Sequence, residues 1–332
     1  MLDRHRAHQP AKPGASNPSA LSGLVRALLC PLPQRRPAAE RQADMATTAT
    51  RRRSTVEQAG NQAEQAVRRA ARNPWVERLA RFGLAARGLV YAVVGLLAVQ
   101  TAFFGRGATT DTRGAIQKIA EQSRPLLALV AIGLVGYALW RFSQALLDPE
   151  NKGRDAKGLL KRGAMLGSGI IYSGLAWAAF RILTGQGSAG SAGGGNERIT
   201  ATVLDKPFGR WLVALAGLAV IAGGLQQLHR AWKRSFEEKL NLGQMDATER
   251  RLALRTGQLG LAARGIVFLL TGSFLVRAAW TYDASEARGL RGALDTLASQ
   301  PHGPWLLGAV ALGLVAFGAY SFLEARYRRI VF

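Results

Sequence analysis

The chain has 332 residues, of which 48% are hydrophobic, and its 44 Lys and Arg against 21 Asp and Glu give a formal net charge of +23. Spread over a soluble domain, this charge would indicate a nucleic-acid-binding protein. From Phe82 onward, however, the apolar residues gather into six blocks, and the basic residues concentrate in the tail and in selected loops. This pattern excludes an ordinary globular protein, and the single cysteine, Cys30, excludes an intramolecular disulfide and a cysteine-based metal site.

The N-terminal residues 1–73 contain no apolar block and are rich in Pro, Ala, Arg and Gln. This composition predicts a disordered, basic cytoplasmic tail. Its arginine clusters, such as Arg51–Arg53, would either bind anionic lipid or nucleic acid or serve only as an orientation signal beside the first membrane span. We favour the orientation signal, so nucleic acid is not an expected partner.

Each apolar block is long enough to cross a bilayer. A hydrocarbon core about 30 Å thick needs about 20 helical residues, and a spanning segment there must satisfy its own backbone hydrogen bonds, which favours helices. The predicted spans are 82–104, 125–147, 163–184, 207–229, 257–280 and 304–325. The sequence therefore predicts an all-α membrane protein with six transmembrane helices.

The basic residues divide unevenly between the two sides of these spans. Fifteen Lys and Arg precede Phe82, five lie in 148–162, seven in 230–256 and three follow the last span. The alternate loops are poorer, with four in 105–124, three in 185–210 and two in 281–303. Because basic loops stay in the cytoplasm, we expect both termini there.

The odd-numbered spans contain an internal repeat. The string LAARG occurs at Leu84–Gly88 and again at Leu261–Gly265. A weaker third copy keeps Gly169 and Tyr172 in register with Gly88 and Tyr91.

The even-numbered spans and their preceding loops repeat as well. Trp211–Ala222 aligns with Trp305–Ala316, and the amphipathic segment Arg113–Gln122 matches Arg291–Gln300. We predict three two-helix repeats at 74–150, 151–236 and 237–332, arranged as a pseudo-threefold bundle with short amphipathic helices at its outer face. The Gly/Ser stretch 185–195 reads as a flexible insertion in the middle copy.

The (A)ARG[LI]V[YF] strings, the three hairpins and the lead-in Asn73-Pro74-Trp75 resemble a bacterial membrane-protein family, the domain of unknown function 1206 family. The resemblance covers about residues 70–330. The middle copy departs from it, with Ser168 at the position of the arginine. The family implies placement and architecture, and no activity.

Arg87 and Arg264 stand at the same position of their repeats, about one and a half turns inside the predicted spans. A charge at this depth needs a partner or a route to the headgroups. Either both side chains snorkel or form structural pairs, or they face a cavity between repeats and bind a lipid headgroup or a small anion. Tyr91 shares a helix face with Arg87, as Phe268 does with Arg264, and Tyr91 is the third candidate contact.

Small residues mark the expected helix contacts. Seven-residue spacing places pairs of glycines on one helix face, and Gly163 with Gly167 forms a GxxxG motif. The glycines that we assign to helix packing are Gly88, Gly95, Gly169, Gly265 and Gly272.

The central part of every predicted span lacks Asp, Glu and His, and the sequence has no P-loop, GxSxG or HExxH motif. Arg230 and Glu324 stand at the exits of spans four and six, where we expect interfacial positions. We predict no catalytic residue, metal or cofactor, and expect a structural or accessory component of the bacterial inner membrane. A passive carrier or channel for a small anion or lipid is the alternative. Expected partners are anionic lipids, other membrane proteins or a second copy.

Overall fold

The computed structural model describes residues 74–105, 109–146, 155–186 and 195–328. Within these ranges the chain forms six long α-helices and three short ones. The long helices are α1 (Pro74–Phe104), α3 (Arg124–Leu146), α4 (Ala156–Leu183), α6 (Gly209–Lys233), α7 (Ala247–Thr281) and α9 (Gly303–Tyr327). The short helices are α2 (Thr112–Gln122), α5 (Gly195–Leu204) and α8 (Leu290–Ala298). The predicted tail and most of the Gly/Ser insertion lie outside the described residues.

All six long helices are long and apolar enough to span a membrane, so the chain is a multi-pass membrane protein. Helices α1, α4 and α7 begin eight, seven and ten residues before the predicted spans. At α7 the extension starts at a capping box, in which Asp246 accepts from the Glu249 backbone N–H and the Glu249 side chain accepts from that of Asp246. Hydropathy identifies only the apolar part of such a helix, so the predicted boundary was too late.

The long helices pack around a common centre in chain order. Helix α1 packs between α3 and α9, α3 packs on α4, and α7 packs between α9 and α6. Contacts within repeats 1 and 3 therefore alternate with contacts between successive repeats. This is the order of neighbours expected for a pseudo-threefold bundle.

Close glycine contacts show that two of the interfaces between repeats are equivalent. A Cβ on Gly88 of α1 would lie 2.9 Å from the Gly318 carbonyl oxygen of α9, and one on Gly265 of α7 would lie 3.0 Å from that of Gly224 in α6. Gly95 and Gly272 lie equally close to the helices they face. In the third interface, Gly169 of α4 contacts the Phe142 ring of α3. Small residues thus let these helix backbones approach closely.

The two long helices of repeat 2 do not pack against each other as those of repeats 1 and 3 do. Helix α4 packs on α3 and α6 packs on α7, but α4 and α6 are not packed against each other. A Cβ on Gly163 or Gly167 would meet no described atom within 4 Å, so the prediction of helix packing by this GxxxG motif is wrong. We call the gap between these two helices the α4/α6 opening.

The three short helices lie at one end of the bundle, which we call the short-helix face. The end that bears the start of α1 and the end of α9 is the terminal face. On the short-helix face the contacts run in a cycle: Arg113 of α2 adjoins Gly195 of α5, and Asn196 of α5 adjoins Gly289 at the start of α8. Thr109, just before α2, closes the cycle by a hydrogen bond to Asp295 of α8.

The entries into α6 and α9 have the same geometry. Phe208 and His302 both have φ of 63°, and each precedes a glycine. A Cβ on Gly209 would collide with the Val203 carbonyl oxygen, and one on Gly303 would collide with that of Ala298. Only glycine fits where the short helix ends against the start of the next span, which is why both repeats carry it.

Candidate functional site

A buried ion pair joins repeat 1 to repeat 3 toward the terminal face. Arg87 of α1 and Glu324 of α9 are 3% and 5% exposed, and an Arg87 terminal nitrogen lies 2.6 Å from the Glu324 carboxylate. Arg87 also donates to the hydroxyl oxygens of Tyr137, at 2.7 Å, and Ser321, at 3.0 Å. Arg87 therefore finds its counter-charge within the protein, while its Nε, like that of Arg264, is buried without a partner. This is the structural pairing that the sequence left open.

Glu324 is buried inside the bundle, three residues before the end of α9. It accepts from Arg87 on one side and from Arg328, one helical turn further on, on the other. A carboxylate buried in this way is retained because two cations balance its charge. Sequence distance conceals the pairing, since Arg87 and Glu324 belong to different repeats.

A second basic side chain shares this cluster. Arg141 of α3 donates to the Tyr137 hydroxyl at 2.9 Å and to the Gln144 side-chain oxygen at 3.1 Å. The Tyr137 ring in turn packs edge-on against Tyr172 of α4, with 4.4 Å between ring centres. The tyrosine therefore bridges two guanidinium groups and extends the cluster to the middle repeat.

Arg264 of α7 has the position of Arg87 but different surroundings. Its guanidinium carbon lies 5.3, 4.8 and 4.9 Å from the ring centres of Tyr91, Phe268 and Phe317. The described residues supply no hydrogen-bond acceptor and no carboxylate to Arg264, and its Nε is buried without a partner. The side chain as a whole is only half-buried, so part of it remains accessible. Cation–π contacts worth about 0.5–2 kcal/mol each stabilise the charge without neutralising it.

The equivalent positions explain this difference. In the register set by Gly318 and Gly224, Arg230 of α6 stands where α9 has Glu324, and Gln227 stands where it has Ser321. Gln227 is buried, and its side-chain oxygen accepts no hydrogen bond. The position that carries a negative charge in α9 therefore carries a positive charge in α6.

Neighbouring groups add to the lack of negative charge around Arg264. Arg87 lies close enough to repel it, and Tyr172 of α4 interacts with both guanidinium groups. Phe317 lies between them, 5.1 Å from Arg87 and 4.9 Å from Arg264. We call Arg264 and the three rings around it, together with Gln227 and Arg230 at the equivalent positions of α6, the Arg264 site. Its arrangement can hold an anion.

The predicted contact Tyr91 lies at the Arg264 site, where it packs edge-on against Phe317 at 4.9 Å. Arg87 does not stack on Tyr91 as expected but lies over Tyr137 and Phe317, because the ion pair with Glu324 turns its side chain toward α9. Arg264 does stack on its own helix neighbour, Phe268.

Further charged groups lie near the short-helix face. Arg181 donates to the Gln186 carbonyl, and Arg277 pairs with Glu286 at 3.1 Å. Asp111 caps α2 by accepting from the Gly114 N–H at 2.8 Å, yet burial raises the pKa of its carboxyl. Nowhere in the described part of the chain do three His, Cys, Asp or Glu side chains lie close enough to hold a metal ion.

A model of one protein family, described as Domain of Unknown Function (DUF1206), matches the chain three times, at residues 82–148, 164–234 and 259–328. The chain belongs to the DUF1206 family. Each match begins at an odd-numbered span and ends after the next one, as the internal repeat requires. "Uncharacterized protein YxxB" of Bacillus subtilis (strain 168) is 35% identical over 259 residues, which is 77% of this chain and 93% of the relative. No solved structure matches the chain.

Membership of the DUF1206 family agrees with the six-span architecture and leaves the Arg264 site as the feature that points to function. The sequence reasoning selected Arg264 and named Arg230 and Glu324, but it connected neither of these with the two arginines, and it did not consider Gln227. The alignment of Trp211–Ala222 with Trp305–Ala316 contained the signal. When this alignment is extended by eight residues, Arg230 stands opposite Glu324.

Proposed function

We propose that this DUF1206 protein is a non-catalytic membrane component that binds an anion at the Arg264 site. One observation carries the proposal: Arg87 has a glutamate partner, whereas the described residues supply no carboxylate to its repeat equivalent Arg264, and the position equivalent to the glutamate is Arg230. A buried charge in a membrane protein needs a counter-charge. A bound phosphate or carboxylate group would supply at Arg264 what Glu324 supplies at Arg87.

Binding without catalysis is supported by the chemistry of the side chains present. General acid–base catalysis needs a group free to exchange a proton with the substrate. Beside the Arg264 site the acidic group is Glu324, and two arginines hold it. The site itself offers cations, an amide and aromatic rings, which bind an anion but do not activate a nucleophile.

Transport of the anion across the membrane is the alternative, and packing favours retention instead. The edge-on ring pairs Tyr91–Phe317 and Tyr137–Tyr172 occupy the centre of the bundle. The cycle of short helices covers one end. Flux of a labelled anion into vesicles that contain the protein would support transport, and its absence would support retention.

The placement that we propose is the bacterial inner membrane, with the terminal face in the cytoplasm. It is supported by the thirty Lys and Arg on that side of the spans against nine on the other. A basic cytoplasmic face would attract anionic lipids and acidic partners, including other membrane proteins. A second copy of the chain is the alternative partner.

Thermal unfolding of the purified protein with inorganic phosphate tests the anion site. A ligand that binds only the folded state at 100 times its Kd stabilises by about 2.7 kcal/mol. Phosphate should stabilise the wild type and should not stabilise Arg264→Gln. The matched control is Arg210→Gln, which removes an exposed arginine that lies over Trp280.

Replacement of Arg230 by glutamate gives the reciprocal test. Arg230→Glu places a carboxylate where α9 has Glu324, so it should pair with Arg264, raise the midpoint of unfolding without phosphate and abolish the effect of phosphate. Equal stabilisation of the wild type, Arg264→Gln and Arg230→Glu by phosphate and by anionic lipid would refute the proposed function.

A further inference from the structure

The α4/α6 opening connects the Arg264 site with the surrounding lipid. From the position of the Arg264 site in the bundle, we infer that its ligand is an anionic phospholipid, whose phosphate binds Arg264 and whose acyl chains lie in the α4/α6 opening. This inference rests on the proposed function and names the class of ligand.

Repeat 2 carries small residues where the other repeats carry large ones. Gly223 of α6 has the position of Phe317 in α9 and of Tyr137 in α3, the two rings that pack over Arg87. A Cβ on Gly223 would meet only the Phe268 ring, at 3.7 Å, so the space of an aromatic side chain is left open. Ser168 likewise replaces the arginine. The wall that shields the interior elsewhere is therefore missing beside Arg264.

The two helices that flank the opening both expose apolar side chains. Helix α4 exposes Leu166 and Ile170, and α6 exposes Leu215 and Leu218. Acyl chains contact such surfaces without cost, whereas a free inorganic anion would have to lose its water to reach Arg264 from this side. Tyr172 of α4 also lies near Arg264, so the opening leads to the guanidinium.

Charge complementarity identifies the headgroup as anionic. Arg264 supplies a cation that receives no carboxylate from the described residues, and guanidinium groups bind phosphate through charge-assisted, often bidentate, hydrogen bonds. A zwitterionic lipid would bring its own cation next to Arg264, where Arg87 already lies close enough to repel it. We therefore expect phosphatidylglycerol to bind in preference to phosphatidylcholine.

The test is native mass spectrometry of the full chain released from nanodiscs of phosphatidylcholine with or without phosphatidylglycerol. The wild type should retain one phosphatidylglycerol with a preference of roughly ten- to a hundredfold, the range for hydrogen bonds to a charged group. Arg264→Gln and Gly223→Phe should lose the preference. Arg210→Gln and Ala309→Phe are the matched controls, since the latter adds the same ring on an exposed position of α9, away from the opening.

Each outcome discriminates. Loss in both site variants with retention in both controls supports the inference. An unchanged preference in Arg264→Gln overturns it, and so does loss in Arg264→Gln with full retention in Gly223→Phe, because the lipid would then not enter through the α4/α6 opening. If phosphate stabilises the protein through Arg264 while phosphatidylglycerol shows no preference, the inference fails and the proposed function stands. Phosphate stabilisation of Gly223→Phe verifies that this variant keeps its anion site.

Discussion

Loss of the Glu324 carboxylate should destabilise the protein far more than loss of an exposed carboxylate of the same type. Glu324→Gln keeps the shape of the side chain but leaves Arg87, at 3% exposure, without a counter-charge. Removing one partner of a buried ion pair costs about 3–5 kcal/mol. The matched control is Glu77→Gln, which breaks a 2.7 Å pair with Arg81 whose side chains are 43% and 32% exposed. Exposed pairs of this kind contribute about 0.2–1 kcal/mol.

Unfolding of the variants by sodium dodecyl sulfate in mixed micelles, followed by helical circular dichroism, measures both changes. Adding Arg87→Gln to Glu324→Gln should recover part of the loss, because the uncompensated cation is then removed, and a coupling energy of about 1–3 kcal/mol is expected. If Glu324→Gln and Glu77→Gln differ by less than about 1 kcal/mol, the buried pair does not hold repeats 1 and 3 together.

Three further outcomes follow from the packing, the short-helix face and the charge distribution. Gly265→Ala should lower the free energy of unfolding by about 1–3 kcal/mol, because its Cβ would lie 3.0 Å from a facing carbonyl oxygen. Gly174→Ala, in open space, should not destabilise the protein. Unfolding in detergent compares the two variants. Burial raises the pKa of Asp111, so its carboxyl binds more protons in the folded protein than in the unfolded chain, and the free energy of unfolding falls as pH rises through the titration of Asp111. Asp111→Asn, which keeps a capping oxygen, should therefore become more stable relative to the wild type as pH rises. An unchanged difference in stability between pH 4 and 7 would contradict this. In a cysteine-free background, Ser299→Cys should react with an impermeant maleimide in intact spheroplasts, and Gln244→Cys only in inverted vesicles; the reverse labelling would invert the topology.

The sequence was sufficient to predict the features that depend only on the composition of a single helix. Six apolar blocks predict six spans because a bilayer imposes one length and one backbone solution on all of them. The identical LAARG strings predict equivalent packing, and Gly88 and Gly265 do face equivalent glycines. The helix bounds differ, since polar turns precede the apolar core in α1, α4 and α7 and follow it in α6.

The candidate site depends on which helices become neighbours, and this is where sequence reasoning fell short. A glutamate near the end of a span reads as interfacial, because nothing local to Glu324 shows that Arg87 approaches from another repeat. The GxxxG motif of span three reads as a packing face, yet a motif permits contact and does not supply a partner. The small residues Ser168 and Gly223 acquire meaning only when the repeats are superposed.

An experimental structure in nanodiscs that contain phosphatidylglycerol would test the central claim most directly. The measurement is the density within hydrogen-bonding distance of the Arg264 terminal nitrogens. We predict the density of a phosphate there, continuous with acyl chains in the α4/α6 opening. We predict no such density at Arg87, because Glu324 already pairs with it. An Arg264 side chain paired with a carboxylate of the protein, and α4 packed against α6, would contradict the account.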